Sequence, residues 1–424
     1  MLKRIISVLL SMAFLIPALS FDVHAEGYNG SSKKAFNAGV SFDDYVVSEI
    51  LNFNPQIDIS AYVTEYGWND RDALDAMNAI IYKYPVIYAF NNDYYEYAWN
   101  TGIGAYDFKV TYLMNKGTYK STKDDFEESV SEILSLVDDS MSDAYKALIV
   151  HDYLVANTVY ASNEKMRYSM YGCIEESKAV CQGYAQAFSY IMNLLGIECH
   201  VIKSEEMWHS WNYIKIDGKY YHVDLTFDDP TINKGEKEYD LTGQVLHDYF
   251  LISDSKIKKT HYGWKFYSDG IKKTTGKKYD NYFWTNIRSQ IIRNGNYLYY
   301  MEYCEDEQNK LGENATKLIR RNIKTNKTKV LKTIYCNWTV GDSDRFYLQT
   351  YARLSYYNGR LYFNTDEKVY SIDKNGKNLK TVCSPKLNGY SIFGSYVDSD
   401  GKLLMACGKE ENDILTYKKK TLKK

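Results

Sequence analysis

An α+β fold that gives way to an all-β C-terminal part is the architecture this sequence predicts, and three observations predict it. From Lys178 to Gly196, the residues Cys181, Ala185, Phe188, Met192 and Leu195 recur every three or four positions, one face of a helix. Asp217-Gly218 lies between two β-rich runs, a strong hairpin signal. From about residue 276 helical periodicity fades, and short β-rich runs alternate with Asn-Gly, Asp-Gly and Lys-Thr-Asn-Lys turns.

The chain has 424 residues, enough for two or three domains. Its balance is that of an ordinary globular protein, with 45% hydrophobic and 25% charged residues and a net charge of −2. That balance offers no case for a nucleic-acid partner. Tyrosine stands out at 43 residues, which suits β-sheet faces; amphipathic contact surfaces are the alternative.

Residues 1–25 read as a secretory signal peptide. Lys3 and Arg4 precede the apolar run Ile5 to Leu19, and Val23-His24-Ala25 offers a small-x-small cleavage site. A membrane anchor is the alternative, but the run is short and Pro17 interrupts it. No second long apolar run occurs, so a secreted or cell-surface product without stable membrane insertion is expected.

Residues 26–140 form an N-terminal α/β module without legible chemistry. Phe42 to Phe53 and Asp70 to Tyr84 are expected helices, the second with Leu74, Met77, Ile80, Ile81 and Tyr84 inward and Pro85 at its end. Val86 to Phe90 and Tyr106 to Met114 are expected strands. A third helix, Ser142 to Asn157, enters a second domain spanning residues 141–275, and His151 on it is expected to be structural. In that domain Ser177 is expected to cap the 178–196 helix and Gly196 to end it.

Residues 276–424 form a β-repeat module. Three strand starts look alike: Arg293-Asn-Gly-Asn-Tyr-Leu, Tyr357-Asn-Gly-Arg-Leu-Tyr and Ser399-Asp-Gly-Lys-Leu-Leu. This resembles blades of a β-propeller. Three blades are fewer than a closed ring uses, so a partial propeller, a stacked sheet and an oligomer-completed ring stay open. A binding or spacer role is expected.

The chemistry lies within about fifty residues of Cys181. A thiol in the first turn of a helix faces unpaired N–H groups and the positive end of the dipole, which favour the thiolate. The plain alternative is a buried structural cysteine. A histidine, His209, lies on the first arm of the hairpin, and an acid, Asp224, on the second. Thiol, imidazole and carboxylate are what covalent acyl transfer needs. Taking Asp217-Gly218 as a two-residue turn pairs Ile216 with Lys219. His209, Trp211 and Tyr213 then share a face with His222, Asp224 and Thr226, and His209 and Asp224 become diagonal neighbours. Ile214, Ile216, Tyr221, Val223, Leu225 and Phe227 fall on the opposite, core-facing side. Asp228 and Asp229 compete with Asp224 as the partner acid.

Ala179-Val-Cys-Gln-Gly-Tyr-Ala, His209-Ser-Trp-Asn and His222-Val-Asp-Leu-Thr-Phe-Asp-Asp-Pro together resemble the bacterial transglutaminase-like superfamily. So do His151-Asp-Tyr-Leu-Val and Tyr249-Phe-Leu-Ile-Ser-Asp followed by His261. The resemblance covers residues 140 to 265. It implies a papain-like core in which Cys181, His209 and Asp224 are the catalytic triad.

Seven cysteines in an oxidising compartment leave one thiol over, as a nucleophile requires; Cys173, Cys199, Cys304, Cys336, Cys383 and Cys407 could pair. Cys173 with Cys181 is a further conceivable disulfide. No C-x-x-C pair occurs and no spacing fits zinc, so neither metal nor cofactor is expected. The leading expectation is a secreted cysteine acyltransferase or peptidase acting on a protein or peptide substrate, with the cell envelope as one place of action. The rival is a non-catalytic surface-binding protein that keeps the fold.

Overall fold

A computed structural model describes residues 40–100, 104–229, 231–234, 237–240, 243–268, 270–272, 274–340, 345–347, 349–384, 389–410 and 414–422. The segment read as a signal peptide lies outside these residues. Among them, no helix is long and apolar enough to cross a membrane.

The N-terminal part packs α1 (Phe42–Leu51), α2 (Ser60–Tyr66) and α3 (Asp70–Lys83) on the sheet β1 (Gln56–Asp58), β3 (Ala105–Tyr112), β2 (Phe90–Asn100), in that order. Asn69 caps α3 through a capping box with Asp72. The strand expected at Val86 does not form. Pro85 instead opens a 3-10 turn, Pro85–Ile87, because its fixed φ suits the first helical position, and the strand starts at Phe90. A 19-residue helix, α4 (Lys116–Leu134), follows with only Phe126, Val130 and Ile133 buried.

The central part runs α5 (Asp143–Asn157), β4 (Val159–Tyr160), α6 (Met170–Ile174), β5 (Lys178–Ala179), α7 (Cys181–Leu194) and then an antiparallel sheet. That sheet comprises β6 (Cys199–Ser204), β7 (His209–Ile216), β8 (Lys219–Val223), β11 (Phe250–Ile252) and β12 (Trp264–Lys265), in spatial order β11-β8-β7-β6-β12. The hairpin β9 (Thr231–Lys234) and β10 (Lys237–Asp240) and the short helix α8 (Asp254–Ile257) are inserted between its strands. Helix α7 is buried on nearly every side, which is why Tyr184, Ala187, Phe188 and Ile191 all join the main core. A Cβ on Gly183 would sit 2.5 Å from Arg167 O and 2.8 Å from Ala179 Cβ, so only glycine allows this approach.

Two local expectations are corrected. Ser177 does not cap the helix; it holds φ 55° immediately before β5, and Val180 takes the cap position without a side-chain bond. All seven cysteines are free thiols, so none of the conceivable disulfides forms.

The C-terminal part is a series of three antiparallel meanders. They are β13 (Ile292–Asn294), β14 (Tyr297–Gln308), β15 (Asn314–Asn322) and β16 (Thr328–Tyr335); β17 (Leu354–Tyr357), β18 (Arg360–Asn364), β19 (Val369–Asp373) and β20 (Lys380–Cys383); and β21 (Ser391–Val397), β22 (Lys402–Gly408) and β23 (Ile414–Thr421). Each of the three look-alike starts is a hairpin turn: Gly295, Gly359 and Gly401 have φ of 58°, 79° and 77°. No closed propeller forms among the described residues. Trp284, Ile287, Ile291, Leu298 and Tyr300 belong to the same buried cluster as Phe188 and Val223. The first meander therefore shares its packing with the central part.

Candidate active site

Cys181 is the first residue of α7, so its backbone N–H has no acceptor inside the helix. The helix is tied to the sheet by Asn212 Nδ2, which donates to Ala185 O at 2.8 Å, one turn beyond Cys181. Asn212 lies on β7, whose first residue is His209. One strand thus sets the distance between thiol and imidazole.

The hairpin has the expected register, with Ile216 opposite Lys219 and Asn212 opposite Val223. His209 and Asp224 lie on one face, and His209 Nε2 meets Asp224 Oδ2 at 2.5 Å. On the same face Trp211 Nε1 donates to His222 Nδ1 at 3.0 Å. With Nε2 engaged, Nδ1 is the His209 nitrogen left for Cys181, which lies close enough to help raise the basicity of this ring. Burial opposes a charged His209. The Asp224 charge and hydrogen bond, aided by Cys181, outweigh it and push its pKa up to about 10. Burial likewise opposes a charged Asp224, but His209 and then His261 hold its carboxyl well below the usual range.

Asp224 is the acid that meets His209; Asp228 and Asp229 go elsewhere. Asp228 Oδ2 lies 3.2 Å from His151 Nε2 and accepts from Tyr249 N, while Asp229 accepts from the Tyr184 hydroxyl at 2.5 Å. His151 is fully buried, as a structural histidine should be. It belongs to a network in which Asp152 Oδ1 meets His151 Nδ1 at 2.9 Å and His247 Nε2 at 3.0 Å. Asp152 also accepts from Ile291 N at 2.6 Å, which fastens the first meander to α5.

Phe227 departs from its expected place. The strand ends at Val223, and Asp228 N bonds back to Asp224 O, so the chain turns and alternation stops. Phe227 is 38% exposed and packs on the His209 ring at 5.1 Å. Trp208, 86% exposed with φ 51°, and Tyr262, 55% exposed, are further open aromatic residues; each is next in sequence to one of the two histidines on Asp224. Burial pushes the Tyr82 hydroxyl of α3 up and nearby Cys181 adds to it, so the N-terminal part also reaches the site.

One residue's place in the site escaped the sequence reading. His261 Nε2 also meets Asp224 Oδ2, at 2.9 Å. The motif around it was visible, but nothing in a spacing of 37 residues connects it to Asp224.

Among the described residues two groups could offer metal ligands: His151, Asp152 and His247, and His209, Asp224 and His261. In both, the nitrogen and carboxylate atoms already bond one another directly.

A family model described as Transglutaminase-like superfamily matches residues 130–225, a stretch that includes Cys181, His209 and Asp224. This stretch is similar to a transglutaminase-like core, and it lies within a mixed α+β fold. Solved structures similar to it include a TGase, at 15% identity over 40% of this chain and 50% of that one, with a TM-score of 0.23. An oligogalacturonate lyase in complex with manganese follows at 13% identity, over 46% and 55%, with a TM-score of 0.21. The Nup133 β-propeller domain of Vanderwaltozyma polyspora is similar at 12% identity, over 50% and 51%, with a TM-score of 0.19. The chain spans about half the length of each. No curated protein matches it.

Proposed function

We propose that the protein is a cysteine acyltransferase or hydrolase acting at amide bonds of proteins or peptides. The observation that carries this reading is the placement of Cys181 at a helix start against His209, whose far nitrogen is held by buried Asp224. The transglutaminase-like match over the same residues supports it.

In this reading the Cys181 proton passes to His209 Nδ1, and the thiolate attacks the amide carbonyl carbon. Negative charge collects on the carbonyl oxygen, where the Cys181 backbone N–H is a natural donor. His209 returns the proton to the departing nitrogen, the C–N bond breaks, and a thioester to Cys181 remains. A primary amine or water then gives its proton to His209, attacks the thioester and releases the thiol. An amine acceptor yields a cross-link, and water yields hydrolysis. Asp224 holds the His209 ring in the tautomer that leaves Nδ1 free to accept.

Secretion and action at the cell envelope belong to the same proposal and rest on the pattern of residues 1–25. So does the division into an N-terminal module to residue 140, a catalytic domain 141–275 and a propeller-like β module 276–424, supported by the three meanders. The test is incubation with a protein substrate mixture and a fluorescent primary amine. Amine incorporation that disappears in Cys181→Ala marks transferase chemistry. New peptide ends without incorporation mark a peptidase. Neither product, with a folded protein, refutes the proposal and favours a non-catalytic binding role.

A further inference from the structure

We propose that His261 is a positioning residue: it shares the Asp224 carboxylate with His209 and sets how tightly His209 holds its proton. The inference rests on the reading of Cys181 and His209 as nucleophile and base.

Asp224 Oδ2 takes two imidazoles, His209 Nε2 at 2.5 Å and His261 Nε2 at 2.9 Å. Its other oxygen accepts from Thr226 N at 3.1 Å, Thr226 Oγ1 at 2.8 Å and Phe227 N at 3.1 Å. Five donors thus converge on one buried carboxylate. His261 itself is fully buried. Its second nitrogen, Nδ1, lies 2.8 Å from Thr260 Oγ1, whose hydroxyl donates to Ile257 O at 3.3 Å.

The two rings are 5.5 Å apart, centroid to centroid. His209 is the ring on the Cys181 side, and His261 is the second imidazole on Asp224. A carboxylate satisfied by five donors attracts the His209 proton less than one satisfied by four. Without His261, His209 would cling to its proton and return it to the leaving nitrogen more slowly.

Other charged or titratable groups around the pair are few. His222 of β8 faces His261; burial lowers its basicity, Asp254 of α8 opposes that, and His261 and then Lys258 add to it. The Tyr249 ring lies 5.4 Å from His261. On the Cys181 side stand Tyr82 of α3 and, beyond it, Glu205 in the turn before β7.

The experiment is iodoacetamide alkylation of Cys181 from about pH 5 to 11 in the full chain, for the unaltered protein, His261→Phe and His261→Gln. Phe keeps the ring volume without the donor. Gln returns an amide N–H near the lost Nε2–H. The expected result is an alkaline step, where His209 loses its proton, that moves up by about one pH unit in His261→Phe, a tenfold change in proton affinity, and returns toward the original in His261→Gln. Superimposable profiles, or equal shifts in both variants, overturn the inference while leaving the nucleophile assignment intact. An unreactive Cys181 in the unaltered protein overturns both. A readout without variants is nitrogen NMR of labelled histidines. It should show His261 Nε2 protonated and hydrogen-bonded toward Asp224 while His209 is doubly protonated near pH 7; an unprotonated His261 Nε2 overturns the inference even if a variant fails to fold.

Discussion

Asp224→Asn is the change whose consequences can be worked out furthest. The new amide would keep an oxygen for Thr226 and Phe227 but turn an NH₂ toward the two imidazoles. An NH₂ donates, so His209 Nε2 must become an acceptor and its proton must move to Nδ1. Nδ1–H cannot take the Cys181 proton. Loss of the correct tautomer costs roughly 10⁴-fold in kcat in triads of this logic. The same change has a pH signature in stability. His209 is held at about 10 against an ordinary 6.5. A pKa raised by folding stabilises the protein fully below the unfolded value, and the contribution fades as pH rises from about 6.5 through about 10. The shift corresponds to on the order of 5 kcal/mol as an upper bound at 1.36 kcal/mol per pH unit. Asp224, lowered by folding, gives the acid side: its contribution is present above the ordinary carboxylate pKa near 4 and is lost on acidification. The assay is amine-transfer or hydrolysis kinetics together with urea unfolding of both proteins at about pH 6, 8 and 10.5. The predicted result is a stability gap near pH 6 that closes by about pH 10.5, alongside the loss of turnover. Undiminished turnover, or a gap that does not change with pH, would refute the reasoning.

Three further outcomes are expected. Iodoacetamide near neutral pH should label Cys181 first, because burial pushes Cys173 up to about 12 and Cys199 and Cys336 higher still; peptide mapping that finds one of those labelled first contradicts this. Gly183→Ala should destabilise by about 1–3 kcal/mol, the usual cost of overpacking, since its Cβ would meet the Arg167 and Ser169 carbonyl oxygens at 2.5 and 3.0 Å; chemical unfolding measures it. Trp208→Ala should leave stability within about 0.5 kcal/mol, as the side chain is 86% exposed, yet raise KM several-fold if this ring meets substrate; unchanged KM removes it from the binding surface.

The parts of the structure that could be read from sequence are those where a local period and a local turn agree. Helix α3 and helix α7 carry a clear three-to-four spacing, and Asp217-Gly218 fixes the β7–β8 register, so His209 and Asp224 fall on one face by counting alone. Helix α4 escaped because just three of its nineteen residues are buried, too few for a stripe to show amid Lys, Glu, Ser and Thr. Phe227 was misplaced because alternation was carried past Val223, where the chain leaves the sheet to form the turn that wraps Asp224. His261 and the buried group of His151, Asp152, Asp228 and His247 are assembled by tertiary packing between residues 37 to 95 apart, which leaves no periodic trace. The boundary expected at residue 275 follows the change in texture, whereas the packing of Trp284, Ile287 and Ile291 continues across it. Texture reports local pairing, and shared cores do not alter it.

The central claim is that Cys181 forms a thioester during turnover. Intact-mass and peptide mass spectrometry after rapid acid quench with an amide substrate tests it most directly. The account predicts an acyl adduct on the Cys181 peptide that is cleared by hydroxylamine, is absent in Cys181→Ala and accumulates in neither His209→Ala nor Asp224→Ala. Turnover without any adduct at Cys181, or turnover that survives Cys181→Ala, would contradict it.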